Sequence, residues 1–312
     1  MNLKILTALC LSTLISCDAN IGIAQEKTQN DTYDDVQEIP NDSALHEYSQ
    51  EDTGDIEEPE SLEDFVYRGP YEVMSETRVV SVTNCSNMNY SIYTPNGVLN
   101  PSVVVLGHGF ARGPDTMVGW ADHLASWGVE VLLPTLCHYN ILLGVDHEMN
   151  GKNMVELAQH NLSNTNIYAG HSAGGLAAII AASIDSNSLG VLGLDTTDTE
   201  GIPGVPDFIG QQYANTIQGV GFYIQGEPSS CNADNNGLDL FEMMNESYIV
   251  KVEDADHCDF EQPTDTVCEM SCENSNATVP DDEIRSVITI LGTSAILSLA
   301  NISEDAWVIW GL

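Results

Sequence analysis

Basic residues are the scarcest feature of this chain. Only 8 Lys and Arg stand against 47 Asp and Glu, giving a formal net charge of −39. A surface with that balance repels nucleic acid and anionic lipid headgroups, so neither is expected as a partner. It favours solubility and suits a salty medium, where counterions screen self-repulsion. Aromatics are sparse at 7%. The apolar N-terminal run, residues 5–15, is too short to span a bilayer. A zinc-protease helix is excluded as well, because His147-Glu148 is followed by Gly151 where H-E-x-x-H requires its second histidine. What remains is ordinary for a globular core: 43% hydrophobic residues in 312, enough for one large domain with extensions.

The first 17 residues have the layout of an export signal. Lys4 supplies a basic start, residues 5–15 an apolar stretch, and Leu14-Ile15-Ser16-Cys17 resembles a bacterial lipobox. Cys17 is then the lipidated first residue of the mature protein, and two or more acyl chains hold it firmly in a membrane. The expected location is the cell envelope, on its periplasmic or surface side, with plain secretion as the alternative. Residues 18–64 are acidic and lack apolar periodicity, as in Glu57-Glu58-Pro59-Glu60. Such a composition does not order itself, and a flexible tether of about 47 residues reaches roughly 35–40 Å.

Cys10 leaves with the signal and Cys17 carries lipid. Cys85, Cys137, Cys231, Cys258, Cys268 and Cys272 remain, an even set in an exported protein. Three disulfides are expected, in any of about 15 connectivities. Cys268 and Cys272 beside Cys258 have no further Cys or His pair at zinc spacing, so neither a metal nor a cofactor is expected.

Residues 65–312 read as the folded domain. Residues 79–82 and 90–93 alternate like an antiparallel pair, whereas 102–106 is a continuous apolar run, as in a strand covered on both faces. A helix over 120–127 ends at Gly128. Strands at 130–133, 190–194, 221–224 and 248–252, and helices over 149–161 and 281–301, complete an α/β pattern: a mostly parallel, doubly wound sheet flanked by helices. In such a sheet catalytic groups sit at the carboxyl ends of strands.

The stretch Gly170-His171-Ser172-Ala173-Gly174 lies between an apolar strand and an Ala-rich helix over 176–182. Strand, G-x-S-x-G turn and helix in that order resemble the nucleophile elbow of α/β-hydrolases. Glycines two positions either side let strand and helix approach, and the helix N-terminus favours developing negative charge near Ser172. A serine nucleophile needs a base. His257 is the only histidine after His171, and it follows the last strand. For the acid, Asp195 at the end of strand 190–194 leads; Glu227, Asp234 and Asp198 stay open as alternatives.

The resemblance extends further. From Arg68-Gly69-Pro70-Tyr71 to the C-terminal helix, the chain is similar to the chlorophyllase and dienelactone-hydrolase-like branch of α/β-hydrolases, which includes cutinases, polyester hydrolases and platelet-activating-factor acetylhydrolases. Gly107-His108-Gly109-Phe110 occupies that family's oxyanion position, which implies a hole formed by the backbone N–H groups of Phe110 and Ala173. Gly193-Leu194-Asp195 resembles the strand end that supplies the acid in chlorophyllases and the acetylhydrolases. Ser229 stands where cutinase-like members carry theirs. The loop 227–231 is unlike that of the polyester hydrolases, and no aromatic clamp beyond Phe110 is evident.

The resemblance implies a serine esterase and leaves its substrate open; the scarcity of basic residues, with Arg112 as the one cation at hand for an anionic substrate, favours a neutral, apolar or lipid-like ester. A non-catalytic envelope lipoprotein that kept the scaffold for binding, and an acyltransferase using the same serine, are the alternatives. Oligomeric state is left open.

Overall fold

A computed structural model describes residues 5–7, 62–140, 144–201, 205–272 and 276–311. The expected signal segment apart from 5–7, Cys17 with its expected lipid, and the expected tether up to residue 61 lie outside the described residues. A 3-10 turn, Leu62–Val66, opens the folded body three residues before the expected start, and it does so because Phe65 is buried against Trp127.

The sheet strands are β1 (Ile5–Thr7), β2 (Val73–Val82), β3 (Cys85–Pro95), β4 (Val103–Gly107), β5 (Glu130–Pro134), β8 (Asn166–His171), β9 (Ser188–Leu194), β10 (Val220–Gln225) and β11 (Ser247–Lys251). Tyr139–Asn140 and Gly144–Val145 form a separate hairpin, β6 and β7. The helices are α1 (Val118–Ser126), α2 (His147–His160), α3 (Ala173–Ile184), α4 (Gln211–Ala214), α5 (Leu238–Glu242), α6 (Thr266–Cys272), α7 (Asp281–Leu299) and α8 (Asp305–Ile309).

The sheet runs β1-β11-β10-β9-β8-β4-β5-β3-β2. Eight of these strands come from the folded body, and among them β3 alone runs opposite to the rest. β1, inside the expected signal segment, pairs in parallel with β11, the outermost strand of the folded body on that side. A mature chain beginning at Cys17 lacks it and ends the sheet at β11.

Alternate residues of the central strands feed two separate cores, the consequence of a strand's period of two. Val103, Val105, Tyr168 and Val191 pack on α2 and α3, while Val104, Leu106, Ile167 and Leu192 pack on α1 and α7. Helices therefore cover both faces, which explains why β4 reads as an uninterrupted apolar run. The long elements fall where the sequence puts them, with shifts at their ends. α2 starts at His147 because the Asp146 carboxylate caps the Met149 N–H at 2.9 Å. α7 carries Asp281, Asp282 and Glu283 in its first turn, matched to the helix dipole.

The six cysteines pair as Cys85–Cys137, Cys231–Cys272 and Cys258–Cys268. Three such bonds fit an oxidising, exported environment. Among the described residues no helix is long and apolar enough to cross a membrane.

Candidate active site

Ser172 sits between β8 and α3 with φ 55° and ψ −124°, a conformation that side-chain-bearing residues rarely adopt. Packed glycines impose it. A Cβ on Gly174 would lie 2.5 Å from the Gly107 carbonyl carbon, and one on Gly170 would lie 2.4 Å from the Gly174 backbone. The β8–α3 turn is thereby pressed against the end of β4. The expected role of Gly170 and Gly174 is met, with Gly107 as a third member of the contact.

The turn is also bonded sideways. The Ser172 N–H donates to the Leu194 carbonyl at 3.0 Å. The next residue is Asp195, which lies at the end of β9 with no exposed surface. One peptide thus links the Ser172 turn to the Asp195 turn. Asp195 Oδ2 accepts the Nδ1–H of His257 at 2.6 Å, and Oδ1 accepts the Gly226 N–H at 3.0 Å. His257 follows β11 and is 7% exposed. With Nδ1 donating to a carboxylate, its Nε2 is the nitrogen free to take a proton. The ring of His171, next to Ser172, lies 4.4 Å from the His257 ring and is stacked on Phe260. These contacts bring the serine segment and the histidine loop together at the carboxyl ends of β8, β9 and β11.

Glu227 and Asp198 make other contacts, and Asp234 faces solvent. Glu227 pairs with Lys251 at 2.8 Å and accepts the Asp254 N–H. Asp198 accepts the N–H groups of Thr199 and Gly210, and burial pushes its carboxyl up. Asp234 is exposed in a 3-10 turn.

The β4–α1 loop crosses in front of Ser172. A Cβ on Gly109 would lie 3.5 Å from the Ser172 Cβ. Neither the Phe110 nor the Ala173 N–H donates a hydrogen bond among the described residues. His108 fixes the loop: its Nδ1 meets the Gly109 carbonyl at 3.0 Å and its Nε2 accepts the Leu136 N–H at 3.1 Å. Burial lowers the His108 pKa, in keeping with a neutral ring that both donates and accepts. Phe110 is 44% exposed and meets Tyr139 of the β6–β7 hairpin edge-on.

Arg112, the one cation at hand in the sequence, is already paired. Its guanidinium is not available to an anionic ligand: Nε and Nη2 grip both oxygens of buried Glu261 at 2.7 and 2.6 Å, and Nη2 also meets Asp265 at 3.0 Å. Donation to the Glu261 carboxylate raises the Arg112 pKa further above the usual guanidinium value. Cys258, Cys268 and Cys272 bring their sulfurs within 4.8 Å of one another, but all three sulfurs are in disulfides rather than free thiolates.

Reasoning from sequence missed Asn232. It is fully buried and bonds to both oxygens of Asp195. Lying in an irregular loop of polar residues, it carries no periodic signal that could single it out. No protein-family model matches the chain, and a search of curated proteins returns no match.

Proposed function

We propose that this chain is an exported serine hydrolase of the α/β-hydrolase family, cleaving carboxylic esters through an acyl-enzyme on Ser172. The observation that carries the reading is the 2.6 Å bond from His257 Nδ1 to buried Asp195, assembled beside a serine at a glycine-packed strand–helix turn. The chain order Ser, Asp, His and the strand–turn–helix setting agree with that family's pattern.

In this mechanism His257 Nε2 takes the Ser172 proton as the hydroxyl oxygen attacks the ester carbonyl. Asp195 holds the imidazole in the tautomer that makes Nε2 the base, and it stabilises the imidazolium that forms. The N–H groups of Phe110 and Ala173 receive the oxyanion. Removing one such donor typically costs about 2.7–4 kcal/mol of transition-state stabilisation. His257 then protonates the departing alcohol, and water, activated by the same nitrogen, releases the acid. The reaction so written draws on no cofactor.

A neutral, apolar or lipid-like ester is the favoured substrate. Two carboxylates already occupy Arg112, so a substrate carboxylate or phosphate would meet no free cation there. We further propose that Cys17 anchors the mature protein in the envelope membrane by its lipid.

The test is hydrolysis of p-nitrophenyl esters from acetate to palmitate by the purified protein and by Ser172→Ala. Turnover by the wild type and its loss in a folded variant would support the reading. Equal turnover by both proteins would refute it. Including an alcohol acceptor and analysing products separates hydrolysis from acyl transfer.

A further inference from the structure

Asp195 has a third partner besides His257 and the Gly226 N–H. Asn232 Nδ2 lies 3.3 Å from Oδ1 and 3.1 Å from Oδ2 of that carboxylate, and 2.8 Å from the Glu227 carbonyl. One amide hydrogen therefore goes to Glu227, and the other is shared between the two carboxylate oxygens. The amide oxygen is equally engaged: it accepts the Ser229 N–H at 2.8 Å and the Asn235 N–H at 3.2 Å. Asn232 is thus completely buried and fully satisfied in a loop with little regular structure. Its neighbour Cys231 is bonded to Cys272 at the end of α6. On that same helix, Cys268 is bonded to Cys258, the residue after His257. Both loops flanking the Asp195–His257 bond are therefore stapled to one short helix.

We infer that Asn232 is a positioning residue for the reaction: it fixes the plane of the Asp195 carboxylate and keeps its charge directed at His257. The inference rests on the proposed hydrolase reading. Without Asn232 the carboxylate keeps the Gly226 N–H on one oxygen and His257 on the other. Rotation about the Cβ–Cγ bond is then restrained only by the backbone amide and by the imidazole that the carboxylate is meant to orient. A hydrogen bond to a charged group is among the stronger ones in a protein, and in a dry site its loss is felt at the reacting atoms.

Asn232→Asp is the selective probe. It retains an oxygen to accept the Ser229 and Asn235 N–H groups and exchanges only the donating NH2 for a carboxylate oxygen. Removal of that donor is expected to lower kcat by about ten- to a hundredfold with the serine and histidine intact. A second carboxylate beside Asp195 also stabilises imidazolium, so the acid limb of kcat/KM moves to higher pH by about one unit or more. Asn232→Ala is expected to lower kcat without that upward move. A purely structural asparagine would affect melting temperature and leave kcat alone in both variants.

The second readout needs no substrate. The His257 ring protons are titrated by NMR in the wild type and in Asn232→Asp, and the midpoint is expected to rise in the variant. Wild-type kcat, an unmoved acid limb and an unmoved NMR midpoint in Asn232→Asp would overturn the inference. Should the wild type turn over no ester, the hydrolase reading fails, and the NMR midpoint alone still decides whether a charge at position 232 is felt at His257.

Discussion

Ser172 has an unusual backbone conformation that alanine can share, because both residues carry only a Cβ at that point. Ser172→Ala removes the Oγ without disturbing the glycine contacts around it, so it tests chemistry rather than folding. Other single residues make a different prediction. Burial holds the pKa of His123 and of His147 down to about 4, and that of His171 well below the ordinary value. In the unfolded chain each titrates near 6.5. As pH falls from about 6.5 to about 4, the unfolded chain takes up protons that the folded protein refuses, so stability is lost across that window. Asp259 works the other way: burial raises its carboxyl to about 6, which adds stability as pH falls below that value. His147 isolates the first effect, since its Nδ1 is buried without a partner and the residue is 4% exposed. The stability gap between wild type and His147→Asn should shrink by up to about 3 kcal/mol between pH 7 and pH 4 in urea unfolding. A gap independent of pH would contradict the buried, neutral assignment.

At the scale of elements, the crossing of the β8–α3 turn over β4 decides whether a site exists. Gly174→Ala would drive a methyl group to 2.5 Å from the Gly107 carbonyl carbon, where only backbone lies and nothing can rotate away. The expected outcome is loss of ester turnover together with a destabilisation of about 3 kcal/mol or more, measured by urea unfolding. Turnover and stability like the wild type's would mean the crossing is not tight.

Elements of this kind were legible in the sequence to the extent that their periodicity was. β4 is apolar throughout, β8 has the apolar centre Ile167-Tyr168-Ala169, α3 is rich in Ala and Ile, and Gly170 and Gly174 flank a single serine, so the strand–turn–helix unit announces itself. The β6–β7 hairpin and the short helices α4, α5, α6 and α8 do not, because two to seven residues are too few for a pattern. Contacts between distant segments were equally hidden. The Cys231–Cys272 pairing, the Asn232 bonds and the capture of Arg112 by Glu261 join residues 37 to 149 positions apart. Asp195 could be preferred because it follows a strand, but the pairing of Glu227 with Lys251 joins residues too far apart to be read from the sequence.

Charge acts on the whole molecule. With a formal −39, the folded state is under self-repulsion that salt relieves. The screening length falls from about 30 Å at 0.01 M to about 3 Å at 1 M. The melting temperature should therefore rise steadily between those salt concentrations, as followed by circular dichroism; a flat or falling curve would mean the carboxylates are already balanced by local partners. Disulfides act on the same scale from the unfolded side. Cys85–Cys137 closes a loop with a sequence separation of 52. Replacing both cysteines with serine should remove stability on the order of 4 kcal/mol in the chain-entropy view, read from urea unfolding under non-reducing conditions. All of these properties frame a single chemical claim, that one serine carries the acyl group. The most direct measurement is to mix the protein with a p-nitrophenyl ester, quench with acid within the first turnovers and map the acyl adduct by peptide mass. The account predicts one acyl group, on the peptide containing Ser172, and none in Ser172→Ala. Continued turnover with the adduct on another residue, or with Ser172→Ala as active as the wild type, would contradict it.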